Sequence, residues 1–189
     1  MKLKAIARLC AKSKAISVID VPGNQGDTVV QWIGNFSAIY PVFDLPRLEK
    51  ESVLTIFDVK SDKRDDYFFQ EIGVPGRMCL DDSSTNEVEI DQGIFGIEIV
   101  IHGVTLQPLK TSQGVTFIDT DYLAPLGDYE NVELFERIST DDKTIYIVAK
   151  VGLVIKAVIQ PYSLINQDFA NKMWELSRAC THAMEYKQS

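Results

Sequence analysis

Histidine, the side chain most often used for acid–base chemistry near neutral pH, occurs only twice in this chain. His102 lies in the apolar segment GIEIVIHGVTL, and His182 lies near the C-terminal end, 80 positions away. A histidine in an apolar strand is more often buried and structural than catalytic, and we predict this for His102. The sequence also lacks the G-x-S-x-G, G-x-x-x-x-G-K-S/T, H-E-x-x-H and aspartate-rich calcium-loop patterns. No catalytic residue is therefore predicted, and we expect the chain not to be an enzyme.

Four pairs of carboxylates are the remaining candidates for binding a divalent cation or exchanging protons. The pairs are Asp65 with Asp66, Asp81 with Asp82, Asp119 with Asp121, and Asp141 with Asp142. Each pair lies in a predicted turn among Ser, Thr, Lys or Asn, where carboxylates are usually solvated. We therefore predict no metal site and no cofactor.

The three cysteines, Cys10, Cys79 and Cys180, are widely spaced and include no C-x-x-C pair. An odd number at such spacing argues against both a disulfide framework and a zinc site. Cysteines that form no disulfide are typical of a reducing compartment, so we predict a cytoplasmic protein.

The N-terminal segment MKLKAIARLCAKSKAISVI has the lysines of a signal peptide but not its apolar core. Arg8, Lys12 and Lys14 interrupt that core. No segment approaches the roughly 18 apolar residues that span a bilayer. We expect a protein that is neither secreted nor embedded in a membrane.

Charge is distributed unevenly along the 189 residues, whose formal net charge is −8. The first 14 residues carry five basic side chains and no acidic one, so the remainder has a net charge of about −13. The five are Lys2, Lys4, Arg8, Lys12 and Lys14. This asymmetry is typical of a polyanion-facing element on an acidic body, and the alternative is a solvated helix face that only adds solubility.

The elements that must position these residues follow from hydrophobic periodicity. Between positions 2 and 12, apolar residues follow one helical face while basic residues recur every four positions, which predicts an amphipathic helix. The segments AISVIDV and TVVQWIG, separated by the turn formers of positions 22–27, predict two antiparallel strands. A second helix is predicted from Pro46, a break or bulge in a strand region near Gly93 and Gly96, and a hinge between two strands near Gly152.

A last helix is predicted over positions 167–187. Its apolar stripe consists of Phe169, Met173, Leu176, Cys180 and Ala183. Trp32 and Trp174 are both predicted to lie in the core. The order of elements predicts an α+β fold of antiparallel sheets with a few helices.

The segment GVTFIDTDYLAPLGDYENVELFERISTDDKTIYIVAKVGLVIKAVIQPYSL resembles the closing half of a domain of the bacterial DNA sliding clamps. The likeness lies in the strand end at Phe117, the pair Tyr122-Leu123 that opens a short helix, the acidic strand 132–135, and final strands that stop before Pro161. The basic first helix followed by a strand is similar to the first helix of a clamp domain. Strand segments such as QWIGNFSAIYPV further resemble proteins of bacterial prophages.

The resemblance implies a first clamp-like half at 1–104, a second half at 105–165 and a C-terminal helix at 166–189. It implies a non-enzymatic replication or processivity accessory of phage type that binds the phosphates of double-stranded DNA without reading bases. Self-association is also implied, because a clamp ring contains six similar domains. The residues expected to contact DNA are Lys2, Lys4, Arg8, Lys12 and Lys14. The alternative is a protein-partner-binding module of unknown target, without nucleic-acid binding, in which the terminal helix docks another protein.

Overall fold

Helices and mostly antiparallel strands alternate in blocks along the chain. The computed structural model describes residues 1–22, 29–43, 45–92, 96–141 and 143–188. The helices are α1 (Leu3–Ser13), α2 (Lys50–Ile56) and α3 (Gln167–Gln188), with the 3-10 helices η1 (Ser61–Asp66) and η2 (Thr120–Leu126). The strands are β1 (Ala15–Pro22), β2 (Val29–Gly34), β3 (Ala38–Val42), β4 (Phe68–Gly73), β5 (Glu87–Glu89), β6 (Ile99–Ile101), β7 (Val104–Thr111), β8 (Gly114–Asp119), β9 (Val132–Ile138), β10 (Ile145–Val151) and β11 (Val154–Ile159). The predicted α+β class is confirmed.

Helix α1 forms where the sequence predicts it, and its apolar face is buried at Ile6, Leu9 and Cys10. Lys12 in the last turn is favourably placed against the negative end of the helix dipole. The helix ends at Lys14, whose φ of 53° is left-handed. The backbone amide of Lys2 donates to the carbonyl of Pro125 in η2 at 2.9 Å, which joins the start of α1 to the second half of the chain.

The larger sheet has eight strands in the order β4-β1-β2-β3-β11-β10-β9-β5. It contains two three-stranded antiparallel meanders, β1-β2-β3 and β9-β10-β11, which meet where β3 pairs antiparallel with β11. A helix precedes each meander, α1 before the first and η2 before the second. The fold therefore contains two units of a helix and a meander, and their strands follow in opposite order on the two sides of the β3–β11 pair.

The outer strands of this sheet come from the middle of the chain. Strand β4 pairs with β1 in parallel, with Ala15 opposite Phe68, so one edge departs from the predicted antiparallel arrangement. Strand β5 pairs antiparallel with β9 at the other edge. The turn at Gly152, with φ of 59°, separates β10 from β11 as predicted.

A smaller sheet has the order β6-β7-β8. His102 lies in the tight turn between β6 and β7, exposed and with a left-handed φ of 50°. The prediction that it is buried is wrong, because the chain reverses at His102-Gly103 instead of continuing as one strand. The predicted break at Gly96 is confirmed, since 96–98 is not strand; Gly93 lies outside the described residues.

The core lies on both faces of the larger sheet. One cluster packs between the sheet and the α1–η2 side and includes Ile6, Tyr40 and Leu134, and a smaller cluster on the other face includes Trp32 and Tyr146. Trp32 is 4% exposed, as predicted for a core residue. The same prediction is wrong for Trp174, which is 61% exposed because most of α3 extends away from the body.

The second helix is shorter than predicted and begins at Lys50, not near Pro46. A capping box fixes its start, since the amide of Glu49 donates to the Ser52 hydroxyl at 2.8 Å and the Glu49 side chain accepts from the Ser52 backbone. Residues 23–28, where the first turn was predicted, lie outside the described residues. The predicted division at 104/105 falls within β7, after its first residue Val104, and β7 pairs with β6 on the other side of that division; the division stays a prediction.

Candidate functional surfaces

The five basic residues of the N-terminal segment are all exposed on or beside α1. Three of them face carboxylates. The Lys2 Nζ lies 3.2 Å from Asp128 Oδ1, and an Arg8 guanidinium nitrogen lies 3.8 Å from Asp121 Oδ1. The Lys12 Nζ lies 3.2 Å from Asp121 Oδ2 and 3.5 Å from Asp119 Oδ2.

These carboxylates are held by the start and end of η2. Asp119 caps η2, accepting a hydrogen bond from the Asp121 amide at 2.9 Å, and it is 3% exposed. The prediction that the pair Asp119–Asp121 is solvated is therefore wrong for Asp119. Partial desolvation lowers the pKa of Lys12, but the hydrogen bond to Asp121 and the two negative charges outweigh it and raise that pKa.

The pairing reduces the positive charge that a polyanion would meet. Lys4 has no carboxylate within 4.0 Å among the described residues, and the Lys14 Nζ lies 4.7 Å over the Tyr67 ring. Five basic side chains against three carboxylates leave a net side-chain charge of about +2 on this face. Exposed ion pairs are weak and contribute about 0.2–1 kcal/mol each. A phosphate that replaces a carboxylate therefore loses a comparable free energy for each ion pair that breaks.

A second cluster of charges is buried under the segment that precedes β5. Arg137 and Lys150 are 1% and 4% exposed at their side chains, and both contact Glu87, at 2.5 and 2.6 Å. They also donate to the carbonyls of Cys79 and Asp82. Because these donors hold the 79–87 segment to the sheet, we interpret the cluster as structural.

Two buried groups beside α1, a thiol and a hydroxyl, donate hydrogen bonds to backbone carbonyls. The Cys10 thiol donates to the Gly34 carbonyl at 3.2 Å, and burial raises the pKa of Cys10 to about 12. The Tyr40 hydroxyl donates to the Tyr122 carbonyl at 2.8 Å, and burial raises its pKa as well. These groups stay protonated and neutral near pH 7. The described residues contain no group of three His, Cys, Asp or Glu side chains placed to hold a metal ion.

Helix α3 has an apolar surface that the body does not cover. Its first turn touches the body, where the Phe169 ring packs edge-on against Phe117 with centroids 5.7 Å apart. Further along, Leu176 is 57% exposed and Met184 is 59% exposed. Of the predicted stripe, Phe169 and Met173 are half-buried and the others are exposed.

Several participants in these contacts were not identified from the sequence. Asp128, which pairs with Lys2, and the Arg137–Glu87–Lys150 cluster have no local signal, because their partners come from distant parts of the chain. The acids of DTDYL were recognised, but nothing in their spacing indicates Lys12, which lies 109 positions from Asp121.

No family model, curated protein or solved structure matches this chain. The resemblance to sliding clamps, and the DNA contacts that it implies, stay predictions. Among the described helices, none is both long enough and apolar enough to cross a membrane.

Proposed function

We propose that this chain is a non-enzymatic protein-interaction module whose helix α3 docks onto a protein partner. The observation that carries the proposal is the exposed apolar surface along this 22-residue helix. A helix in water gains most of its stability from burying an apolar face, and an exposed apolar stripe is typical of an interaction site. The cytoplasmic location predicted from the cysteines is part of this proposal.

The charges of α3 support a protein partner over a polyanion. Three acidic and three basic residues leave the helix without net formal charge. They are Asp168, Lys172, Glu175, Arg178, Glu185 and Lys187. A neutral helix with apolar side chains gains little from phosphates, but it can pack against another apolar surface.

Photo-crosslinking from α3 tests this function. A benzophenone amino acid is placed at Leu176, on the apolar stripe, or at Glu185, on the opposite side of the helix, in cells that naturally contain the protein. We expect protein adducts from position 176 and far fewer from position 185. Crosslinks from position 176 that stay within the same chain, or that join it only to nucleic acid, would contradict the proposal.

The second candidate is the clamp-like, phage-type association with double-stranded DNA. It is favoured by the repeated helix-and-meander units and by the net charge of about +2 on the α1 face. The carboxylates of η2 weaken this candidate, because a duplex would compete with them for Lys2, Arg8 and Lys12. The expected binding is therefore weak and sensitive to salt.

A further inference from the structure

We propose that the partner of α3 is a second copy of this chain, and that the two α3 helices pair antiparallel through the residues of the predicted stripe. The inference deepens the proposed function and rests on it. The seam consists of Phe169, Met173, Leu176, Cys180 and Ala183.

The spacing of the seam points to another helix as the covering element. Its residues are separated by four, three, four and three positions, which is the 3.5-residue period of a two-stranded coiled coil. The helix is about 33 Å long, and the pattern covers about two heptads of it, from Phe169 to Ala183. Phe169 anchors the first turn to the body, and Leu176, Cys180 and Ala183 remain exposed for a partner.

Side-chain size along the seam favours an antiparallel pair. The large residues Met173 and Leu176 precede the small residues Cys180 and Ala183, so the side chains of the seam become smaller toward the C-terminal end of the helix. An antiparallel pair centred near Arg178 places Met173 opposite Ala183 of the second copy, and Leu176 opposite Cys180. Each layer then combines a large and a small side chain, whereas a parallel pair would stack large on large and small on small.

Residues beside the seam allow the two backbones to approach. Ser177 and Ala179 flank the centre of the pair, and both are small and exposed. Small residues at a helix crossing reduce the distance between axes.

Charge favours the same orientation. The charges of the six charged residues of α3 sum to zero, so the rest of the chain carries the formal net charge of −8. A parallel pair would bring two such bodies together at one end of the helices. An antiparallel pair separates them by about 33 Å, beyond the roughly 8 Å screening length at physiological salt.

The mass of the purified full chain in solution, measured by sedimentation over a range of concentrations, tests the association. We expect a reversible dimer of the 21.2 kDa chain. Leu176→Glu should raise the dissociation constant at least about 100-fold, because it places two carboxylates in the seam. Glu185→Lys, on the outer face, should change it less than about twofold. A chain that stays monomeric, or a Leu176→Glu chain that still dimerises, overturns the proposal.

Disulfide trapping tests the orientation. In a Cys79→Ser, Cys180→Ser background, one preparation carries Met173→Cys and another carries Ala183→Cys. Antiparallel pairing predicts oxidised dimers only when the two preparations are mixed, since the two cysteines then face each other within disulfide reach. Dimers formed by each preparation alone, or none in the mixture, overturn the antiparallel pair.

The two tests also separate this inference from the proposed function. A monomeric chain that still crosslinks to a different protein from position 176 overturns only the second copy as partner. A chain that gives no protein adduct from position 176 and stays monomeric overturns both.

Discussion

Glu87 forms ion pairs with two buried cations. Arg137 and Lys150 are almost inaccessible to water, and both direct their charged groups at the Glu87 carboxylate. Removing one partner of a buried ion pair usually costs more than the pair contributes, because an uncompensated charge remains in the interior.

Glu87→Gln should therefore lower the free energy of unfolding by about 3 kcal/mol. The matched control is Glu89→Gln, an exposed carboxylate on the same strand, which should change it by less than about 0.5 kcal/mol. Urea denaturation of the two variants measures the difference. Equal stabilities would show that the cluster does not depend on the Glu87 charge.

The same carboxylate predicts a pH dependence. Desolvation raises the pKa of Glu87, but hydrogen bonds from Lys150 and Arg137 and their charges outweigh it, so that the pKa lies below its ordinary value of 4.5. The stabilisation is therefore fully present above about pH 4.5 and is lost as the pH falls through the lower, folded-state pKa. We expect the stability difference between wild type and Glu87→Gln to shrink as the pH decreases below 4.5. A difference that stays constant down to pH 3 would contradict this assignment.

At the scale of elements, the tight turn between β2 and β3 depends on Gly34. A Cβ at this position would lie 1.9 Å from the backbone carbonyl oxygen of Ala38, a contact that no rotamer change relieves. Gly34→Ala should cost at least about 2 kcal/mol of stability, because the backbone must move. Gly73→Ala is the control, since a Cβ there meets nothing within 4 Å. Similar melting temperatures for the two variants would contradict the close approach at Gly34.

The pairing of α1 with η2 makes a prediction for the DNA candidate. With about two uncompensated cations, the logarithm of the binding constant should fall with the logarithm of salt concentration at a slope of about −2. Replacing Asp121 and Asp128 with Asn frees Lys2 and relieves Arg8 and Lys12, which should tighten binding and steepen the slope to about −4.

Reversing charges supplies the complementary measurement. The α1 variant with Lys4, Arg8 and Lys12 changed to Glu should lose duplex binding while keeping its fold, because these side chains are exposed. The control changes Lys50, Lys60 and Lys63 to Glu, an equal charge change at exposed positions on and near α2 and η1. Equal loss of retention on DNA for both variants would assign the effect to overall charge and not to the α1 face.

For the whole molecule, local sequence patterns predicted the helices and strands themselves more successfully than which of these elements pack against each other. Helices α1 and α3 follow from periodicity within a few turns, and the Gly152 turn follows from one residue. The parallel pairing of β4 with β1 was not predicted, because it joins segments about 50 positions apart whose own patterns are compatible with either direction. The wrong prediction for Trp174 has a similar cause, since helical periodicity identifies an apolar side chain but not whether the body covers it.

The basic stripe shows the same limit at the candidate site. The sequence correctly predicted five exposed basic side chains at the start of the chain. The three carboxylates that face some of these side chains come from residues 119–128. Only tertiary structure brings these groups together. An uneven charge distribution along a sequence therefore does not establish an equally uneven field on the surface.

Amide hydrogen exchange along residues 173–186, measured on the dilute full chain, tests most directly whether α3 is free to dock. Because nearly all of these side chains are exposed, we expect their amides to exchange much faster than those of the buried strand β10 at low concentration, and to become protected as the chain concentration rises or a partner is added. Protection as strong as that of β10 at every concentration would mean that α3 packs on its own body, and would contradict its assignment as a docking surface.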